Sequence, residues 1–391
     1  LYTRDTHRVG GELVSTDVLW YLPTHGDGRD LLGSAHHLEA QARRQRPPTL
    51  DYLKQVALSA ESAGFSATLI PTGSRCEDAW LVAAAVSQHT RRLKSLVAFR
   101  PGLVQPAVAA QSAASFQQLF EGRLLLNVVT GGSAREQRGY GDFLDHDARY
   151  ERTAEFLSVV RGAWRGPGFN FQGKYYQVEN GGLVEPLAQT PTIYFGGASP
   201  AAERVAAEHA DVYLTWGEPP DMVRQRIASV RAQAAERGRT LRFGIRLHVI
   251  TRDTEEEAWA EAKRLLDGIP EGAIEEAQRG LGATESVGQA RMLSLHQGRK
   301  IGLRELEVYP HLWAGVSLVR GGAGTALVGS HRQVRDLIGE YEALGIDTFI
   351  LSAYPNLEEA VRVGEDLLPL VRARRERGTA SRETVALVSE S

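Results

Sequence analysis

Arg246 and His248 stand two residues apart in Phe243-Gly244-Ile245-Arg246-Leu247-His248-Val249-Ile250, a run of strand composition. Alternation along a strand turns both toward one face. A guanidinium in an interior is costly to desolvate unless it meets an anion. The pair therefore marks an anion pocket, or else a nearby Asp or Glu neutralises the arginine, and both readings are open here. The turn Gly196-Gly197-Ala198-Ser199-Pro200 opens a helix, where free amides and the helix dipole suit a phosphate. A plain tight turn has the same composition. Cys76 has no histidine beside it to activate a thiolate, so it reads as a semi-buried small residue near a helix start. Trp216 and Trp313 read as packing residues as readily as pocket walls, and His36-His37 as solvated loop. No His-Glu-x-x-His or Cys/His spacing for zinc occurs. The Gly321 to Gly329 run lacks the Lys-Ser/Thr ending of a nucleotide triphosphatase loop.

The elements that must carry these residues follow from periodicity. Eight β-rich runs end in Gly, Pro, Thr or Ser: Val18 to Leu22, Ala67 to Pro71, Ser95 to Phe99, Leu124 to Val129, Thr192 to Phe195, Val212 to Thr215, Phe243 to Ile250 and Thr348 to Ser352. Helical periods fill Leu50 to Ala63, Glu77 to Gln88, Pro106 to Phe120, Tyr150 to Trp164, Pro200 to His209, Pro219 to Arg237, Thr254 to Leu266, Arg332 to Leu344 and Leu357 to Leu370. Gly64, Pro219-Pro220 and Gly345 punctuate them. Such alternation predicts a (β/α)8 TIM barrel, which needs about 250 residues and accepts long insertions. An open doubly wound sheet would show a Gly-x-Gly-x-x-Gly fingerprint after its first strand, where this chain has Pro23-Thr24-His25-Gly26-Asp27-Gly28-Arg29. Residues 1–391 are thus expected to form one barrel domain, with insertions at 166–191 and 268–330 and a polar tail at 372–391. The first insertion contains a hairpin pattern turning at Gly173. The second ends in a glycine-rich stretch expected to act as a mobile lid. A barrel active site lies past the carboxyl ends of its strands, where Thr72, Cys76, Asn127, Thr130, Gly197, Trp216, Ser352 and Tyr354 cluster.

Composition narrows the partners. The chain of 391 residues carries 45 Lys+Arg against 48 Asp+Glu, a net charge of -3, so no broad basic field exists to hold nucleic acid. No apolar run approaches the ~20 residues of a membrane helix. The single cysteine rules out an internal disulfide and a thiolate zinc cage and fits a reducing cytoplasm. The start, Leu1-Tyr2-Thr3-Arg4-Asp5, lacks the apolar core of a secretory signal and is expected to be trimmed.

Six long blocks then carry a resemblance: Trp20 to Gly28, Leu69 to Gly73, Cys76 to Ala84, Leu214 to Pro220, Phe243 to Ile250 and Leu318 to Gly329. Over roughly residues 16–370 the chain resembles the bacterial luciferase-like flavin monooxygenases, and within them the reduced-FMN-dependent alkanesulfonate monooxygenases. The resemblance implies that reduced FMN, delivered by a separate NAD(P)H-dependent flavin reductase, activates oxygen and cleaves a carbon–sulfur bond to give an aldehyde and sulfite. It implies a pocket lined by Arg246, His248 and Tyr354, with Cys76 and Trp216 close by and Arg320 on a closing loop. It places Tyr150, Gly197, Ala198 and Ser199 at the flavin phosphate, His146 beside them, and Asn127, Thr130 and Thr72 near the isoalloxazine. Where the family usually carries a further serine in the phosphate turn, this chain has Ala198. The segment Arg29 to Pro48 is longer and more basic than the family's. A dimeric or tetrameric homo-oligomer is expected.

Two other activities share this fold. One is a reduced-FMN monooxygenase acting on another small organosulfur compound such as a sulfone. The other is a deazaflavin-dependent oxidoreductase of the same barrel superfamily. A permanent sulfonate anion suits the permanent charges of Arg246 and Arg320, and Tyr354 or His248 is expected to move the proton that the cleavage requires.

Overall fold

The computed structural model describes residues 16–32, 46–270, 272–296 and 302–373. The His36-His37 pair, the start of the chain and nearly all of the polar tail lie outside them.

Eight parallel strands close on themselves: β1 Asp17–Tyr21, β2 Ala67–Ile70, β3 Lys94–Phe99, β4 Leu124–Val128, β5 Thr192–Gly196, β6 Val212–Trp216, β7 Arg242–Arg252 and β8 Ile346–Ser352. Each pairs with its sequence neighbour in this set, and β8 pairs with β1 to complete the ring. The expected (β/α)8 barrel is therefore the fold, with every strand within a few residues of its sequence-derived position.

Strand alternation divides the core into two shells. Leu19, Tyr21, Leu69, Leu96, Leu125, Tyr194, Leu214 and Ile350 fill the barrel interior. Trp20, Val97, Phe99, Leu126, Phe195, Ile245, Leu247 and Val249 face outward against the helices. On β7 the outward set leaves Gly244, Arg246 and His248 for the inside. Gly244 is required there, because a Cβ would lie 2.6 Å from a Leu214 methyl.

The helices start and stop where local chemistry dictates. Thr49 and Asp78 accept amide hydrogen bonds as N-caps, and Gly64 ends the first helix, Leu50–Ala63, in the left-handed region at φ 94. Thr254 and Ser330 form capping boxes with Glu257 and Gln333. The final helix departs from expectation: it is regular over Asn356–Arg362, then passes through a π turn at Val363–Leu367.

The first insertion is the expected hairpin, Phe169–Gln172 against Gln177–Gly181. The second is more structured than its sequence suggests. It holds helices Ala273–Gly282 and Val287–Ser294, and its last strand, Ala326–Ser330, pairs with the outer half of β7 from His248 to Arg252. Gly280, Gly282 and Gly288 interrupt the apolar period, which hid both helices.

Candidate active site

The mouth of the barrel is built around β7, β8 and the loop after β1. Register places Arg246 opposite Ile350 and Trp216, and His248 opposite Ser352. Arg246 Nη1 donates to Ser352 Oγ at 2.9 Å and to the Leu247 carbonyl at 3.2 Å, and the guanidinium lies over the Tyr21 ring, 4.7 Å from its centroid. Ser352 Oγ meets His248 Nδ1 at 2.8 Å, and His248 Nε2 meets the Ala323 carbonyl at 3.0 Å. A carbonyl only accepts, so Nε2 carries the proton and Nδ1 accepts from Ser352. Both ring nitrogens are thereby committed. Burial, reinforced by Arg246 and Arg320, holds the His248 imidazolium far below the ordinary histidine range, so the ring is neutral. It stacks on Tyr354, with ring centroids 5.4 Å apart and planes 14° from parallel.

Arg320 comes from the second insertion and reaches the same place. Its Nη1 donates to the Tyr354 hydroxyl, while Nη2 lies 3.5 Å from His25 Nε2. His25 Nδ1 is 3.3 Å from the Tyr21 hydroxyl. Burial opposes the Arg320 charge, but Tyr354 and Tyr21 beside it hold its pKa above the usual value; burial lowers Arg246 to about 10. Neither arginine has a carboxylate within ion-pair distance among the described residues. On β7 the Arg246 guanidinium meets Ser352, the Leu247 carbonyl and the Tyr21 ring in place of an acidic side chain.

Cys76 lies near this cluster, partly buried, and burial pushes its thiol up. It is a protonated thiol at neutral pH rather than an activated nucleophile. Trp216 ends β6, and helix Val287–Ser294 packs on its indole so closely that a Cβ at Gly288 would lie 3.1 Å from the ring. Glu218 continues that contact with a two-pronged ion pair to Arg291, at 2.5 and 2.9 Å.

The glycine-rich stretch is held in place rather than loose. Gly322 N donates to Gln289 Oε1 at 3.0 Å, Ser317 N to the Gly324 carbonyl at 2.9 Å, and Thr325 Oγ1 to the Gly217 carbonyl at 2.5 Å. A Cβ at Gly324 would come within 2.2 Å of the Ser317 Cβ, so that glycine serves close packing.

A second cluster sits at the ends of β4 and β5. Ser199 caps helix Pro200–His209 by accepting from Ala202 N at 3.2 Å. Tyr150, on helix His146–Ala163, brings its hydroxyl to the same turn: a Cβ at Gly197 would lie 3.2 Å from it. Burial raises the Tyr150 phenol, opposed by the Ser199 hydroxyl and the Arg149 guanidinium. Thr130 Oγ1 is buried without a protein partner. The cradle thus offers hydroxyls, a helix N-terminus and an orphaned polar atom, which suits a phosphate. Ala198 contributes its carbonyl to Arg226 Nη1 at 3.0 Å, not a contact to the cradle. His146 packs its ring 4.9 Å from that of Tyr150 and pairs with Asp147. Asn127 on β4 and Thr72 past β2 are partly buried and make no side-chain hydrogen bond to the described protein.

The sequence pattern of the luciferase-like monooxygenases matches residues 17–348. The chain belongs to that family. Among solved structures, riboflavin lyase bound to modified FMN and riboflavin superposes with a TM-score of 0.73 at 21% identity, over 92% of each chain. EDTA monooxygenase from Chelativorans sp. BNC1 gives 0.71 at 20% identity, over 92% of this chain and 94% of its own. An F420-dependent secondary alcohol dehydrogenase gives 0.64 at 17%, over 92% and 99%. At these identities the likeness is one of fold. As a luciferase-like monooxygenase, the protein has its two clusters where barrel chemistry is expected.

Sequence reading missed Tyr21 and His25 as members of the site and gave Ser352 no role beyond its place at a strand end. Tyr21 was reachable by alternation from Leu19. The parts played by His25 and Ser352 were not, because they depend on segments meeting across the barrel.

Proposed function

We propose that this protein is a two-component monooxygenase that uses reduced FMN and O2 to convert an alkanesulfonate into an aldehyde and sulfite. The observation that supports it most is the pair Arg246 and Arg320, two guanidinium groups that feel each other's charge and have no carboxylate partner among the described residues. Such a pair asks for an anion. A neutral sulfone gives it nothing to neutralise, which favours the sulfonate over that alternative.

The reaction balances as RCH2SO3⁻ with O2 and reduced FMN giving RCHO, HSO3⁻, FMN and water. When bound, reduced FMN supplies the electrons that activate O2. Ser199 and Tyr150 would hold its phosphate, joined by Thr130, which lies against Tyr150 and so leaves the ring-system position expected for it, with Asn127 and Thr72 toward the ring system. Arg246 and Arg320 bind and orient the sulfonate oxygens. Tyr354 would move the proton: its oxygen accepts from Arg320 and its hydroxyl donates to no group among the described residues, whereas both nitrogens of His248 are engaged by Ser352 and Ala323. The glycine-rich segment, held by its contacts to Gln289 and Gly217, would exclude water from the site.

A deazaflavin-dependent oxidoreductase is the second reading, supported by the F420-dependent enzyme that shares the fold. Anaerobic titration with reduced FMN and with the deazaflavin separates the two. Sulfite release from sulfonates of graded chain length, with reduced FMN and oxygen, tests the main reading. No sulfite from any of them, with product from a sulfone, overturns it.

A further inference from the structure

Asp27 is 1% exposed, yet among the described residues its carboxylate forms no ion pair with an arginine; Arg46 meets it through the backbone alone. Its carboxylate receives four donors: Gly28 N at 2.9 Å, the Tyr52 hydroxyl at 2.5 Å, Asn356 N at 2.7 Å and Asn356 Nδ2 at 3.1 Å. All four donate, so the oxygens act as acceptors only, as an ionised carboxylate does. Burial holds the acid above its ordinary value, and these same bonds oppose that rise in part.

The geometry matters because of what lies beside each end of the link. His25 precedes Asp27 by two residues, and Tyr354 precedes Asn356 by two. Those are the two residues that hold the two prongs of Arg320. Asn356 is itself fixed, its carbonyl accepting from Trp20 Nε1 at 3.0 Å and its Oδ1 from Ala353 N at 3.4 Å. The loop after β1 and the turn after β8 are joined by two bonds from Asn356 into one carboxylate. We infer that Asp27 is a positioning residue: by fastening these two loops together it sets the spacing of His25 and Tyr354, and so the orientation of Arg320. This rests on Arg320 serving the proposed anion site.

Geometry of this kind is worth much at a reacting centre, where a displacement near 1 Å costs about 100-fold. A residue that served stability alone would act independently of Arg320.

The test is a double-mutant cycle on sulfite release, with Asp27→Asn and Asn356→Ala each made in the parent and in Arg320→Ala. In the parent, Asp27→Asn should lower turnover about 10- to 100-fold, Asn356→Ala less, and neither should change reduced-FMN affinity beyond about twofold. In Arg320→Ala the further loss should be within about twofold. Equal losses in both backgrounds overturn the inference. Amide hydrogen exchange provides a readout independent of the reaction. Both variants should speed exchange over residues 320–323 and 353–356 while the barrel strands keep their protection; unchanged protection at 320–323 overturns the inference. If the parent releases no sulfite, the proposed function fails on its own and exchange still decides the role of Asp27. If Asp27→Asn does not fold, Asn356→Ala carries both measurements, and the same results support or overturn the inference.

Discussion

His248 Nε2 donates to the carbonyl of Ala323 across 3.0 Å, tying the inner face of β7 to the glycine-rich segment. One imidazole thus joins the end of β8, through Ser352, to the segment that carries Arg320. That bond needs the proton on Nε2, and the bond from the Ser352 hydroxyl into Nδ1 exists only while the ring is neutral.

This neutrality has a consequence for acid stability. Unfolded, a histidine takes up its proton near pH 6.5. Folded, His209 is pushed down to about 4, by burial first and then by Arg161 and Arg239, and burial likewise holds His248 well below the ordinary histidine range. Between those limits the unfolded chain binds more protons, so stability rises with pH there. It should be complete above about pH 6.5 and decline as pH falls toward about 4. Urea unfolding across that window measures the slope, and His209→Gln should make it shallower.

Arg246→Lys should keep the fold and reduced-FMN affinity but lose at least ~10-fold in turnover, equivalent to ~1.4 kcal/mol. The guanidinium lies over Tyr21, holds Ser352 with one nitrogen, and leaves its other N–H groups for a ligand. An ammonium cannot do all three. Steady-state sulfite release with reduced FMN in excess checks this; a fully active lysine variant would show that charge alone matters.

Arg320→Ala should reduce turnover far more than flavin affinity, since Arg320 belongs to the Tyr354 cluster and not to the phosphate cradle. Removing it leaves Tyr354 and His25 without their shared donor. Flavin fluorescence titration beside single-turnover kinetics separates the two effects.

Ser199→Ala should weaken reduced FMN about tenfold or more, from the loss of one charge-assisted bond of ~1.5–3 kcal/mol. The structure adds a second cost. Ser199 is also the N-cap of its helix, so thermal unfolding should shift by the equivalent of ~0.5–2 kcal/mol. Tyr150→Phe should reproduce the affinity loss without the capping loss, because the Tyr150 hydroxyl caps nothing.

Local chemistry determined much of this protein from sequence alone. Strand alternation and helix boundary residues are written within a few positions of each other, so the eight strands, the shared face of Arg246 and His248, and the helix N-terminus after Gly197 were legible along the chain. Where it failed, the deciding contacts join residues far apart in sequence. Whether Arg246 would meet a carboxylate depended on what the other strands bring to the mouth, and they bring tyrosines and Ser352. The glycines of the second insertion read as freedom, yet Gly324 is there because Ser317 packs against it. The tautomer of His248 needed Ala323, and the orientation of Arg320 needed His25 and Tyr354. A local pattern fixes which face a side chain takes; only the closed barrel, by bringing β1, β7, β8 and the insertion to one rim, decides what stands opposite it.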